Sequence, residues 1–337
     1  MIFNKYLNKS NKIFNKVYKS YIKLNLISKL FILFFILLFT ICIFNKHKEF
    51  NQLENFDTLK KRYEIKRDKD IYDEFYTNHY DNIITDTYRH EYEFNLLTSS
   101  NIIKKKHKIL DIGSGTGLTT NLFNKSKYNI IGLDQSKHMI KYAKNKYPKA
   151  KFKLGNIIDT KLVEHNYFNI ILCLGKTIYE IPEIHDFFDK CYNLLEDDGY
   201  LILHVVNEKK FNPHARNNIN KNNSNFRKIK TDNGIYESIY EVINNKDINN
   251  DYNTDNNTDN NTDNNIDYNK TEPYSQYTEK FTNTSNNNIR KNIKTMYMPE
   301  LIDIDKIAES KNFENTDVIK LKNINYIHEF LYVYKKI

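Results

Sequence analysis

Between residues 107 and 206, short apolar runs alternate with stretches whose apolar positions recur at helical spacing. The runs near 108–112, 129–133, 151–154, 168–174 and 200–206 predict strands, and the stretches near 117–125, 136–146 and 183–196 predict helices. That alternation predicts an α/β fold with a mostly parallel sheet and helices on both of its faces. Asp197-Asp198-Gly199 predicts a turn into the last of these strands. Upstream, Tyr72, Phe75, Tyr76, Tyr80, Ile83 and Ile84 recur near helical spacing, so 71–106 reads as helical. The polar, charged stretch 45–70 reads as a tether. Downstream, 235–243, 277–283 and 291–298 have strand character inside an insertion spanning 208–298, expected as an antiparallel lid. The tail then predicts a helix over 300–311 and strands over 316–322 and 326–335.

Two segments depart from this pattern. Residues 24–44 form an apolar run of about 21 residues, interrupted by Ser28 and Lys29 and flanked by lysines. That length suits one transmembrane helix. A cleaved signal peptide fits less well, because Asn45-Lys46-His47-Lys48 offers no small-residue cleavage site. The expected location is therefore a membrane, single-pass, with the folded part facing the cytosol. The lysines on the two sides are nearly balanced, so charge does not fix the orientation. Residues 244–270 repeat Asn, Thr and Asp with almost no apolar side chains, the composition of a disordered loop. The expected organisation is a basic segment 1–23, the span 24–44, the tether 45–70 and a folded domain 71–337.

Charge narrows the partners. The net charge of +9 suggests nucleic acid until its distribution is read. Nine lysines and no acid lie in residues 1–48, leaving 42 basic and 42 acidic residues beyond them. Anionic lipid is the expected partner of that segment, and nucleic acid is not expected. The cysteines Cys42, Cys173 and Cys191 have no metal-ligand spacing; the last two read as core thiols, and no metal is expected. Nothing in the sequence points to an oligomer.

The strongest chemical signal is Ile109-Leu110-Asp111-Ile112-Gly113-Ser114-Gly115-Thr116-Gly117. A buried strand ends in a glycine-rich turn that opens a helix. Alternate glycines let backbone N–H groups approach a ligand closely. A dinucleotide loop needs G-x-G-x-x-G, whose third glycine would fall on Leu118. No Gly-Lys-Ser/Thr follows, which excludes a Walker A loop. Asp111 is placed to accept from a ligand ammonium group, directly or through water. Asp134 ends the next strand, 21 residues after Gly113, where an acid can take both hydroxyls of a ribose. Gly155-Asn156-Ile157 follows the third strand, with Asn156 a candidate for reading a base and Ile157 for packing on it.

The ordered set LDIGSGTG, GLDQS, GNIID, FNIILCL and LLEDDGYLILHV resembles the class I S-adenosylmethionine-dependent methyltransferases. The similarity is to their small-molecule group of ubiquinone/menaquinone or type 11/25 kind. It covers about residues 71–207 and the last 40. It implies a Rossmann-like seven-stranded fold and S-adenosylmethionine as cofactor. The implied cofactor site is Asp111, Gly113, Ser114, Gly115, Gly117, Asp134, Gln135, Asn156, Ile157 and Leu174, with Tyr80 and Arg89 closing over the methionine end beside Tyr76.

For catalysis or acceptor binding the candidates are Tyr179, Glu180 and His204, with His214, Arg216 and Tyr297 near the expected lid. Each has a plain structural alternative as a core or surface side chain. Three functions follow: methyl transfer to a small or lipidic acceptor beside a membrane, methyl transfer to a protein from an anchored enzyme, or a non-catalytic cofactor-binding scaffold.

Overall fold

The structure, a computed structural model, describes residues 22–32, 34–35, 37–40, 63–100, 102–159, 165–214, 226–231, 234–243 and 274–337. The chain divides into two units, 1–62 and 63–337. In the first, residues 26–32, 34–35 and 37–40 are helical, with Leu26, Ile27, Phe31, Phe35 and Phe39 exposed. Among the described residues no helix is long and apolar enough to cross a membrane. The expected span 24–44 reaches beyond them, at 33, 36 and 41–44. The Asn/Asp/Thr-rich stretch 244–270 and Arg216 also lie outside the described residues.

The second unit is built on a seven-stranded sheet. Its strands are β2 (Lys108–Ile112), β3 (Asn129–Asp134), β4 (Lys151–Leu154), β5 (Phe168–Cys173), β6 (Leu195–Val206), β11 (Phe313–Lys320) and β12 (Glu329–Lys336). They run in the order β11-β12-β6-β5-β2-β3-β4. The five from β6 to β4 are parallel, and β12 is antiparallel to both its neighbours. Strand alternation splits the core between the two faces. Ile109, Ile170 and Leu172 join Leu97 and Phe123 on one side, while Leu110, Ile171 and Cys173 join Phe187, Phe188 and Cys191 on the other. Burial on both faces explains why these strands read as continuous apolar runs.

Helices α3 (Leu118–Lys125), α4 (Lys137–Lys146) and α5 (Ile184–Leu194) connect the parallel strands. The Ser136 hydroxyl caps α4 by accepting from the Met139 N–H at 3.1 Å. The predicted turn at 197–199 is instead a kink inside β6: Asp198 has φ +60, and the pairing with β5 slips between Phe168 and Ile170. The helical stretch expected over 71–106 is two helices, α1 (Glu74–Ile83) and α2 (Thr87–Ser99). Asp73 and Asp86 cap them, accepting from the Tyr76 and Arg89 N–H groups. Helix α6 (Leu301–Ser310) precedes β11.

The insertion forms a second sheet of β7 (Phe226–Thr231), β8 (Gly234–Ile243), β9 (Tyr274–Asn283) and β10 (Ile289–Tyr297). Those four strands are antiparallel; β8, β9 and β10 fall on the three segments read as strands, while β7 lies on a stretch with no strand prediction. A fifth strand comes from the stretch read as tether: β1 (Tyr63–Arg67) pairs parallel with β10. Its alternating half-buried Glu64 and Lys66 carry no apolar periodicity, so the edge of β10 determines its conformation. A short 3-10 turn, Asp68–Ile71, then buries Ile71 completely. Arg290 of β10 fastens this turn, donating to the Ile71 carbonyl at 2.9 Å and to Asp73 at 2.7 Å.

Candidate active site

The loops after β2, β3, β4 and β5 meet where the strand order reverses around β2. That point in an open parallel sheet forms a crevice at the carboxyl ends of the strands. Here it holds two adjoining cavities, about 410 Å³ and about 630 Å³, which share Tyr80, Gly113, Gly115, Gly175, Thr177, Glu180 and Lys294 in their walls.

The first cavity brings together Gly113, Gly115, Asp134, Gln135, Asn156 and Ile157 from the loop ends. Asp134 is its polar centre. One carboxylate oxygen accepts from the Gly115 N–H and the other from the Ser136 N–H, each at 2.8 Å. Burial outweighs those bonds and raises its carboxyl to about 6. The Asn156 side-chain oxygen accepts from the Ile158 N–H at 3.0 Å, which holds the side chain at the cavity wall. Tyr297 of β10 also lines this cavity.

The second cavity takes in Asp111, Ser114, Leu174, Arg89 and Tyr80. Asp111 is 3% exposed and accepts from the Thr120 hydroxyl at 2.6 Å. Burial raises it to about 7, with the Asp134 charge adding to the rise. The Ser114 hydroxyl is buried without a hydrogen-bond partner. Gly113 has φ +68, and a Cβ there would lie 2.4 Å from Thr177. Only glycine lets the loop pass so close to the segment after β5.

Not every expected residue reaches a cavity. Gly117 lines neither: a Cβ there would lie 2.6 Å from the Phe152 ring, so this glycine serves the packing of α3 against β4. Tyr76 sends its hydroxyl to Glu279 at 3.0 Å, away from both cavities. Tyr179 is fully buried and its hydroxyl accepts from the Val206 N–H at 2.8 Å, a core role. His204 is also fully buried. Its Nδ1 lies 3.3 Å from Glu93 and its Nε2 2.7 Å from Glu329. These carboxylates also hold Arg89 and Lys176, at 2.8 Å and 3.2 Å. His204 therefore stands behind Arg89 rather than in the cleft. His214 is buried beside Tyr277, and burial pushes its imidazole down to about 4.

Glu180 does face both cavities, and the structure gives it partners that sequence reading missed. Its carboxylate accepts from the Tyr72 hydroxyl at 2.6 Å and from Lys294 at 2.9 Å. Burial works against the Lys294 ammonium, but Glu180 and Tyr72 hold it well above its ordinary range. Tyr72 and Lys294 belong to different segments, the turn after β1 and β10. The parity of β10 puts Arg290, Asn292, Lys294 and Met296 on one face, but their mixed character does not mark that face as inward.

Residues 103–270 match the family described as Methyltransferase domain. That stretch, just under half of the chain, is similar to a methyltransferase domain. The putative methyltransferase 235L of Invertebrate iridescent virus 6 is 35% identical over 78 residues, covering 21% of this chain and 29% of that protein. The match thus spans under a third of that relative's length. Among solved structures, the CcbJ methyltransferase of Streptomyces caelestis aligns with a TM-score of 0.55 at 13% identity, over 79% of this chain and 97% of that one. SAM-bound CalS10, an amino pentose methyltransferase of Micromonospora echinaspora involved in calicheamicin biosynthesis, aligns with a TM-score of 0.51 at 13% identity, over 79% and 98%. At that identity the likeness is one of fold: the seven-stranded sheet and its helices share their Rossmann-like architecture, with the β7–β10 sheet inserted between β6 and α6.

Proposed function

We propose that this protein is an enzyme that transfers the methyl group of S-adenosylmethionine, by in-line displacement, to a small or lipidic acceptor close to a membrane. The observation that carries the reading is the pair of buried carboxylates, Asp111 and Asp134, flanking the glycine loop in a cleft that continues into a second cavity. The residues present fit such a donor. Asp111 and Asp134 are raised by burial with no cation paired to either among the described residues, and the Ser114 hydroxyl is buried without a partner. A ligand bearing hydroxyls at one end and an ammonium at the other would meet all three.

In this reading Asp134 takes the ribose hydroxyls, Asn156 and Ile157 hold the base, and Asp111 with Ser114 takes the amino-acid end. Arg89 lies alongside that end. The donor supplies a methyl group already activated on a sulfonium. The domain aligns the acceptor behind that methyl group and keeps water out. Orientation of this kind supplies roughly 7–11 kcal/mol of a displacement barrier. Tyr80 and the Glu180–Lys294 pair separate the two cavities, so they border the point of transfer. Glu180 is the acid there able to accept a proton from a protonated acceptor.

Enclosure by the inserted sheet supports a small acceptor over a folded protein surface. The apolar run 24–44 and the lysines around it support a membrane tether, and a donor made in the cytosol favours the domain on that side. The test is tritiated-methyl transfer into separated lipid, metabolite, protein and RNA fractions. Label in lipid or metabolite fractions is expected. Label confined to protein would overturn the acceptor class, and donor binding without any transfer would overturn the enzyme.

A further inference from the structure

Four cationic side chains of Lys or Arg line the second cavity: Arg89, Lys176, Arg227 and Lys294. Three of them face a glutamate, Glu93, Glu329 and Glu180 respectively, at 2.8, 3.2 and 2.9 Å. Arg227 differs. It stands half-buried on β7, the edge strand of the inserted sheet. One Nη1 donates to the Ile83 carbonyl at the end of α1, 3.0 Å away. The guanidinium sits 6.0 Å from the centre of the Tyr236 ring. Among the described residues no carboxylate lies within ion-pair distance of it.

The acids of the same cavity are already engaged. Asp86 accepts from the Arg89 N–H and the Tyr326 hydroxyl, Asp111 from Thr120, and Glu180 from Tyr72 and Lys294. The wall of the same cavity also carries the apolar and aromatic side chains Phe211, Pro213, Tyr277 and Met296. A guanidinium keeps its charge at any physiological pH and offers a planar fork of donors that matches a carboxylate or phosphate.

We infer that Arg227 is the anion-recognising residue of the acceptor cavity, and that the acceptor is an amphipath with an apolar body and a carboxylate or phosphate at one end. The body lies along Phe211, Tyr277 and Met296, and the anion meets Arg227. The inference rests on the methyl-transfer reading, which assigns the rest of the cleft to the donor.

The test uses the full-length protein in neutral detergent, saturated with S-adenosylhomocysteine. Hexanoate, hexyl phosphate and hexanol are compared by ligand-observed NMR titration. The anions are expected to bind at least about ten-fold more tightly than hexanol. Arg227→Gln should bring them to the level of hexanol, while Arg227→Lys keeps part of the preference. Affinity for S-adenosylhomocysteine should be equal in all three proteins, which also shows that the variants are folded. Equal binding of hexanol and the anions to the unmodified protein would overturn the inference, as would an anion preference that survives in Arg227→Gln. Failure of the unmodified protein to take up S-adenosylhomocysteine would instead overturn the methyl-transfer reading. Sedimentation with phosphatidate against phosphatidylcholine vesicles separates the sources. A loss of phosphatidate binding in Arg227→Gln points to a lipid headgroup, whereas no such loss, in a variant that has lost its preference for hexyl phosphate, points to a free small molecule.

Discussion

Under the proposed methyl transfer, the donor and acceptor sides of the cleft are built in different ways. The donor side consists of residues that immediately follow consecutive parallel strands: Gly113–Thr116 after β2, Asp134–Gln135 at the end of β3, Gly155–Ile157 after β4 and Leu174–Thr177 after β5. Each is short and contiguous, and each is positioned by the strand before it. The acceptor side is assembled from the α1–α2 junction, the segment 211–213 and the inward faces of β7, β9 and β10. The group between the two sides, Tyr72 with Lys294, joins positions 222 residues apart. A strand-end loop carries its chemistry with it. An inserted sheet acquires chemistry only by docking, so the two sides respond differently to substitution.

The largest expected effect strikes both sides at once. Gly113→Ala places a Cβ against Thr177 at a backbone angle that favours glycine. Strain and overpacking together should cost about 3 kcal/mol of stability and abolish donor binding, read by urea denaturation and calorimetry. Gly117→Ala should cost a similar amount through Phe152, yet leave the donor affinity of the folded fraction near its original value. Equal binding losses in both would erase the distinction drawn between the two glycines.

Next comes the ion pair that separates the cavities. Lys294→Met leaves the Glu180 carboxylate and the Tyr72 hydroxyl without their cation. A loss of about 2–4 kcal/mol is expected, reduced from that of a fully buried pair because Glu180 retains some solvent contact. The double variant Lys294→Met/Glu180→Gln should recover part of it. A double-mutant cycle by chemical denaturation checks the coupling, and an additive result would break the claim that the pair acts as a unit.

Proton linkage distinguishes the donor side. Asp111 and Asp134 have folded values raised to about 7 and about 6. The ligand-free protein binds protons there that the unfolded chain has released, so these two groups make it less stable as pH rises from about 4 to about 7. A cationic donor favours the ionised acids and expels those protons. Donor affinity should therefore rise between about pH 5 and pH 8, by roughly ten-fold or more. Titrations in buffers of different ionisation enthalpy would show the proton release. An affinity that is flat across that range would remove Asp111 from the ligand's ammonium group.

The smallest effect is expected at Tyr179. Tyr179→Phe removes both hydrogen bonds between the hydroxyl and the Val206 backbone, about 1–2 kcal/mol of stability. The turnover number should change by less than about two-fold, because the hydroxyl faces the core and not the cleft.

This contrast also explains what the sequence reveals and what it hides. The parallel strands were legible because burial on both faces leaves them as apolar runs, and Asp111, Asp134 and Asn156 could be placed at the cleft because each sits at the end of its strand or just beyond it. Gly117 fits the same motif, yet its constraint comes from Phe152 and concerns packing. His204 reads like a cofactor-end histidine at the end of a strand. Its actual partners, Glu93 and Glu329, come from α2 and β12 and are invisible locally. Lys294 and Arg227 are two among many basic residues. Nothing in their neighbourhood marks them until the sheet is folded over the cleft. Strand β1 was hidden for a similar reason, since its pairing with β10 and not its own pattern makes it a strand.

The central claim is that Asp134 and the glycine loop hold a methyl donor. Its most direct test is calorimetric titration of S-adenosylmethionine into the full-length protein and into Asp134→Ala. Asp134 is expected to make two charge-assisted hydrogen bonds to the ribose, worth about 3 kcal/mol together. The account predicts one binding site in the unmodified protein and an affinity at least about 100-fold weaker in the variant, with both proteins folded by circular dichroism. No binding to the folded unmodified protein, or equal affinity in the two, would contradict it.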